Sequence, residues 1–231
     1  MKSLVYSLLL GACLCASCAD QYMVKGTSSV QLIEGNMLYL KVYQGDKMQT
    51  IDSTRVVHGR FTFRGAMDST VLANLYMDDV SLMPLVLEDG EVTLRIDELQ
   101  RTAEVTPLND SLSAFVRRKS RLEASLAELS HRESQMIMDG LDHDEVVAEL
   151  SAEASQLHEE NDRLVTSFIK QNYNNVLGPG VFMILTSNIR YPVLNPVIES
   201  IIAEATPYFL QHPYVQQYLK VAEENMEKLR E

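Results

Sequence analysis

The chain has 231 residues, a net charge of −12, a pI near 4.9 and a hydrophobic fraction of 46%. That size suits one large domain or two small ones, with apolar content normal for a globular body. The acidic balance argues against a nucleic-acid partner, because phosphate recognition needs clustered Lys and Arg. The one basic cluster, Arg117-Arg118-Lys119 with Arg121, is followed at once by acids.

All three cysteines, Cys13, Cys15 and Cys18, sit near the N-terminus. Lys2, an apolar run from Leu4 to Leu14 and the small residues Ala16 and Ser17 follow the order of a bacterial export signal. A helix over residues 4–17 would reach only about 21 Å, short of a hydrocarbon core of about 30 Å. Cys15-Ala16-Ser17-Cys18 resembles a lipobox, with Cys15 where Leu is usual. Leu10-Gly11-Ala12-Cys13 fits better by letter but leaves a short hydrophobic region. An ordinary signal peptide is the plainer alternative. The expectation is a signal peptide over 1–17 and a diacylglyceryl group on Cys18. Such an anchor would hold the chain to a lipid bilayer of the cell envelope, on the periplasmic face or outer membrane. After Cys18 no thiol remains, which excludes a cysteine nucleophile, a CxxC redox pair and a thiolate zinc site within this sequence.

Residues 22–106 read as strands. Met37–Tyr43 is β-rich and Gln44-Gly45-Asp46-Lys47 follows as a turn. Met48–Val57 is a second run. His58-Gly59 makes a tight turn into Arg60–Gly65, where Phe61 and Phe63 alternate with polar neighbours. Val71–Met77 and Leu82–Leu87 come next. Asp89-Gly90 gives a hairpin signal before Val92, Leu94 and Ile96. The fold class expected is α+β: over 18–106 an antiparallel β-sandwich or partly open barrel, and over 107–231 a helical region. Pro107 suits a helix start, with Asn109 and Asp110 suited to capping. Leu112, Phe115, Leu122, Leu126, Leu129 and Met136 form one apolar stripe. Val146, Leu150, Leu157, Leu164 and Phe168 form another beyond a break at Gly140. Two antiparallel helices of about thirty residues are predicted, roughly 45 Å each, with Leu157 in the seam and Glu160 on the outer face. Shorter helical segments follow, punctuated by Pro192, Pro196, Pro207 and Pro213.

Ile51-Asp52-Ser53 with Gly59–Gly65, then Leu87-Glu88-Asp89-Gly90, then Thr106-Pro107-Leu108-Asn109-Asp110 resemble, in that order, a known family. It is the N-terminal domain of unknown function 4369 of thioredoxin-like thiol-disulfide oxidoreductases from Bacteroidota, which are commonly envelope lipoproteins. The resemblance implies a thioredoxin domain with a CxxC motif in full-length members. No such motif occurs here, so no catalytic residue carries over.

Several constellations have a structural reading beside a chemical one. Glu128-Leu129-Ser130-His131 has the Glu-x-x-His spacing of di-metal bundles, but His158 lacks the matching partner. Asp142-His143-Asp144-Glu145 concentrates ligand types where acids also favour a helix start. His58 occupies a turn with no serine motif beside it. Asn172-Tyr173-Asn174-Asn175 before Gly178-Pro179-Gly180 is a helix-linking turn or the rim of a groove. Asp52-Ser53-Thr54, Asp68-Ser69-Thr70 and Asp110-Ser111-Leu112 resemble a short O-glycosylation sequon. No catalytic, cofactor or metal residue is assigned, and Cys18 is the single site. The function expected is a non-enzymatic binding or interaction module with a protein partner in the envelope. The alternatives are an accessory of a thiol-disulfide system and a hydrolase with an unrecognised site.

Overall fold

The computed structural model describes residues 20–44, 47–98 and 101–230. The expected signal segment, Cys13, Cys18 and the Gly45-Asp46 turn lie outside the described residues. Among the described residues there are eight strands: β1 (Asp20–Ser28), β2 (Met37–Gln44), β3 (Lys47–Arg55), β4 (Arg60–Met67), β5 (Val71–Met77), β6 (Val80–Leu87), β7 (Gly90–Ile96) and β8 (Arg101–Glu104). They form two four-stranded sheets, ordered β4-β1-β7-β8 and β3-β2-β5-β6, and neither closes into a barrel.

Alternation builds the sandwich. Tyr22, Val24, Phe61, Phe63, Val92 and Leu94 of the first sheet share one apolar core with Leu38, Leu40, Leu75 and Leu85 of the second. Each such side chain removed from water contributes about 1.5–3 kcal/mol. Residues between them in the first sheet, such as Lys25, Thr62, Arg64 and Glu91, are exposed. The second sheet is covered on its other side at β5 and β6, where Leu72 and Val86 belong to a separate core made with the helices.

One pairing departs from the sequence expectation. Asp89-Gly90 is not a hairpin turn. β6 pairs with β5, whereas β7 pairs in parallel with β1 and antiparallel with β8. The segment carries the chain from one sheet to the other, with Gly90 at φ 108° and Asp89 accepting the Gln21 N–H at 3.2 Å. The His58-Gly59 turn is a true two-residue turn, both residues at positive φ (52° and 68°). It too crosses between sheets, since β3 and β4 lie in different ones.

The helices are α1 (Pro107–Met138), α2 (His143–Gln171), α3 (Leu177–Thr186), α4 (Pro196–Ile202), α5 (Pro207–Leu210) and α6 (Pro213–Lys228). Pro107, Pro196, Pro207 and Pro213 each open a helix, where a missing N–H costs nothing. α1 and α2 form the expected antiparallel hairpin. Phe115 and Phe168 stack at its root, centroids 4.2 Å apart, and Leu129, Val146 and Leu150 pack near its tip. Leu157 is half-buried against that tip cluster. Glu160 is not on the outer face: it accepts from Arg118 across the hairpin at 3.0 Å.

Candidate functional site

α1 organises the surface. Its first turns lie along the open edges of both sheets. Asn109 is fully buried, so it cannot act as an exposed cap. Its Oδ1 accepts the Val86 N–H of β6 at 2.8 Å and its Nδ2 donates to the Val86 carbonyl at 2.9 Å. Ser113 makes the same reciprocal pair with Ala103 of β8, at 3.1 and 2.7 Å. Thr106 takes the N-cap position.

From there α1 runs along the sandwich. Asn109 also touches Glu88, next to the Asp89 that holds Gln21, so α1 begins at the end where β1 begins. Further along, Arg117, Ser120, Arg121 and Ala124 line one groove with Asp97, Glu98 and Arg101 at the other end of β7 and β8. Beyond Ala124 the helix continues to Met138, about 21 Å at about 1.5 Å per residue, paired with α2.

Among the described residues, a groove lies between α1 and α2 in the hairpin, and two more flank the part of α1 that lies on the sandwich. One, about 530 Å³, lies between α1 and the β6–β8 side, with Leu82, Met83 and Val116 in its walls and Arg101, Arg117 and Arg121 around it. The Arg101 Nη1 donates to the Leu82 carbonyl at 2.7 Å. The other, about 360 Å³, lies toward α3 and is lined by Tyr43, Tyr76, Phe115, Met183 and Asn74. Of these, the Tyr76 ring carries Lys41 4.3 Å from its centroid, and burial pushes the Tyr43 hydroxyl pKa up. The linear basic cluster is thus split by the helical period. Arg117 and Arg121 face the first groove, Arg118 pairs with Glu160, and Lys119 pairs with Glu123 beside the second.

At the opposite corner of the sandwich Asp52 bridges the sheets. It accepts from the Tyr22 hydroxyl at 3.3 Å and from the Arg64 N–H at 3.2 Å. Burial first, and the Asp52 charge second, push the Tyr22 hydroxyl up to about 12. The Tyr22 hydroxyl thereby keeps its proton near neutrality and joins the two sheets through Asp52.

The other residues singled out in the sequence fall apart spatially. Glu128 and His131 are exposed on α1. Asp142 caps α2, its Oδ1 accepting from Asp144 N at 2.9 Å and Glu145 N at 3.3 Å. The His58 N–H is held by Glu34. Asn172 and Asn175 bond each other, and Asn175 caps Leu177, so this turn is a packed knot and not part of either groove. Ser53 lies in β3 and Ser111 in the first turns of α1. Among the described residues no group of three or more His, Cys, Asp or Glu is placed to hold a metal ion, and no helix is long and apolar enough to cross a membrane. The groove arginines and the role of Asn109 escaped the sequence reading.

These features define an α+β protein whose sandwich edges are sealed by a helix that then projects as a hairpin. Residues 22–112 match the family described as Domain of unknown function (DUF4369). The match ends one turn past Asn109, so it takes in the β unit and the contact that closes β6. No curated protein and no solved structure matches the chain.

Proposed function

We propose that the protein is a cell-envelope lipoprotein, tethered through an acylated Cys18, that acts as a non-enzymatic module presenting the α1–α2 hairpin to a protein partner. One observation carries the reading. The hairpin tip exposes Ile137, Met138, Leu141 and Val147, with Met138 at 87% exposure, beside the acidic Asp139, Asp142, Asp144 and Glu145. Exposed apolar groups gathered on a projecting tip favour a partner, and the acids favour one with a basic rim. The tip also points away from the end where β1 begins, so a chain held at Cys18 would present it outward.

Two measurements test this. Cys18→Ala should move the protein from the membrane to the soluble fraction, and continued membrane association would refute the tether. A photo-crosslinker at Met138 should capture a partner in intact cells, whereas one at the exposed Leu32 should not. Equal capture at both, or none at Met138, would refute the hairpin as the docking element.

A further inference from the structure

Arg117 and Arg121 stand one helical turn apart on the α1 wall of the larger groove, and Arg101 stands on the β8 side. Neither Arg117 nor Arg121 has a hydrogen-bond or ion-pair partner among the described residues. Arg101 is fixed by the Leu82 carbonyl, which uses one of its five N–H donors. The chain carries a net charge of −12, so three guanidiniums around one cavity reverse its general sign locally. Leu82, Met83 and Val116 supply apolar wall, and the volume of about 530 Å³ falls in the range of small-molecule sites. Asp97 and Glu98 close the end beside Arg101, so a polyanion would meet both signs there.

We propose that this groove binds a small ligand that carries a single carboxylate on an apolar body. The planar guanidiniums match a carboxylate in a bidentate manner, and the body lies along Leu82, Met83 and Val116. The site is separate from the hairpin tip, and failure to capture a partner at Met138 leaves it untouched.

The test is calorimetric titration of 2-naphthoate into the full chain in phosphatidylcholine nanodiscs, with empty nanodiscs subtracted. Saturable binding is expected, and Arg117→Ala with Arg121→Ala should weaken it by about tenfold or more, the effect of losing one charge-assisted contact. Arg118→Ala, whose guanidinium faces Glu160, should leave it unchanged. Uncharged 2-naphthalenemethanol and inorganic phosphate should each bind at least about tenfold more weakly than naphthoate, since each lacks half of the recognised chemistry. Ser120→Trp fills the groove without removing a charge and should also abolish binding. No saturable naphthoate binding, equal binding by the double variant, or equal binding by the uncharged analogue would overturn the proposal.

Discussion

Asn109 and Ser113, one turn apart on α1, each satisfy both backbone groups of a single residue on a different sheet: Val86 on the β6 edge and Ala103 on the β8 edge. An edge strand exposes unpaired N–H and C=O groups and invites association with another chain. Here two side chains take the place of the missing strand. On β6 the same edge is blunted twice more. Pro84, between Leu82 and Val86 in the outward register, has no N–H, and the Leu82 carbonyl is taken by Arg101. The first turns of α1 are therefore joined to both sheets through buried backbone groups, and α1 leaves the sandwich fixed in direction.

Asn109→Ala should destabilise the protein by about 2–4 kcal/mol, because it leaves a buried donor and a buried acceptor unpaired. Asn109→Asp should cost as much: it keeps the acceptor for Val86 N–H but sets a carboxylate oxygen against the Val86 carbonyl. Ser113→Ala should cost about 1–3 kcal/mol on the same grounds. Urea midpoints report all three. A midpoint for Asn109→Asp equal to wild type would show that the amide donor does nothing.

Local patterning explains what the sequence revealed. Period-two alternation at Phe61 and Phe63, or at Val92, Leu94 and Ile96, marks strands because a half-buried sheet needs it. Pro107 and Asp142 mark helix starts through chemistry confined to one turn. What stayed hidden depends on distant pairing. Asp89-Gly90 has the letters of a hairpin, yet β7 pairs with β1, and nothing near residue 90 records that. Asn109 and Asp110 look like capping residues because the partner of Asn109, Val86, belongs to a strand edge whose openness is a property of the whole sheet. The arginine groove was hidden for a similar reason. Arg117 and Arg121 read only as part of a basic cluster followed by acids until Arg101 and Leu82 are brought alongside.

Gly178→Ala and Gly180→Ala should separate. Each would gain about 0.5–1 kcal/mol of helix propensity in α3. A Cβ at Gly178 would lie 2.4 Å from the Asn172 carbonyl oxygen, which is backbone and cannot turn away. A Cβ at Gly180 would lie 2.4 Å from the Leu72 Cδ2, the end of a side chain that can. Overpacking costs about 1–3 kcal/mol, with the upper end expected at Gly178 and near-cancellation at Gly180. Thermal melts that rank the two in reverse order would refute the assignment of the tighter contact.

Leu150 is buried in the tip cluster and Leu157 only half-buried against it. Leu150→Ala should cost about 2–4 kcal/mol and Leu157→Ala less, in proportion to the contact each loses. Glu160→Ala removes the ion pair with the well-exposed Arg118 and should cost no more than about 1 kcal/mol. Denaturant unfolding of the three variants checks the order. If Leu150→Ala leaves stability intact, the hairpin's outer half does not fold cooperatively with its root.

Glu34 governs the turn between β3 and β4. Its two carboxylate oxygens accept the N–H groups of His58 and Gly59, each at 2.8 Å. These bonds, Gly59 first, hold the Glu34 pKa below its ordinary value of 4.5. Both turn residues have positive φ, and a Cβ at Gly59 would lie 2.6 Å from the Ser28 carbonyl oxygen, so the turn has little freedom to adjust. A carboxylate whose pKa is lower folded than unfolded stabilises the fold fully above its unfolded pKa. The contribution is lost as pH falls through the folded value. Glu34→Gln should therefore melt below wild type at pH 7, because a neutral amide is the weaker acceptor and offers one oxygen for two donors. The gap should hold down to pH 4.5 and narrow below it, as wild-type Glu34 takes up its proton. The remaining carboxylates titrate in both proteins and cancel in the comparison. A gap of constant size from neutrality to pH 3 would show that the charge on Glu34 does not hold the turn. Amide exchange at His58 and Gly59, faster in the variant only above that range, would locate the effect at the turn itself.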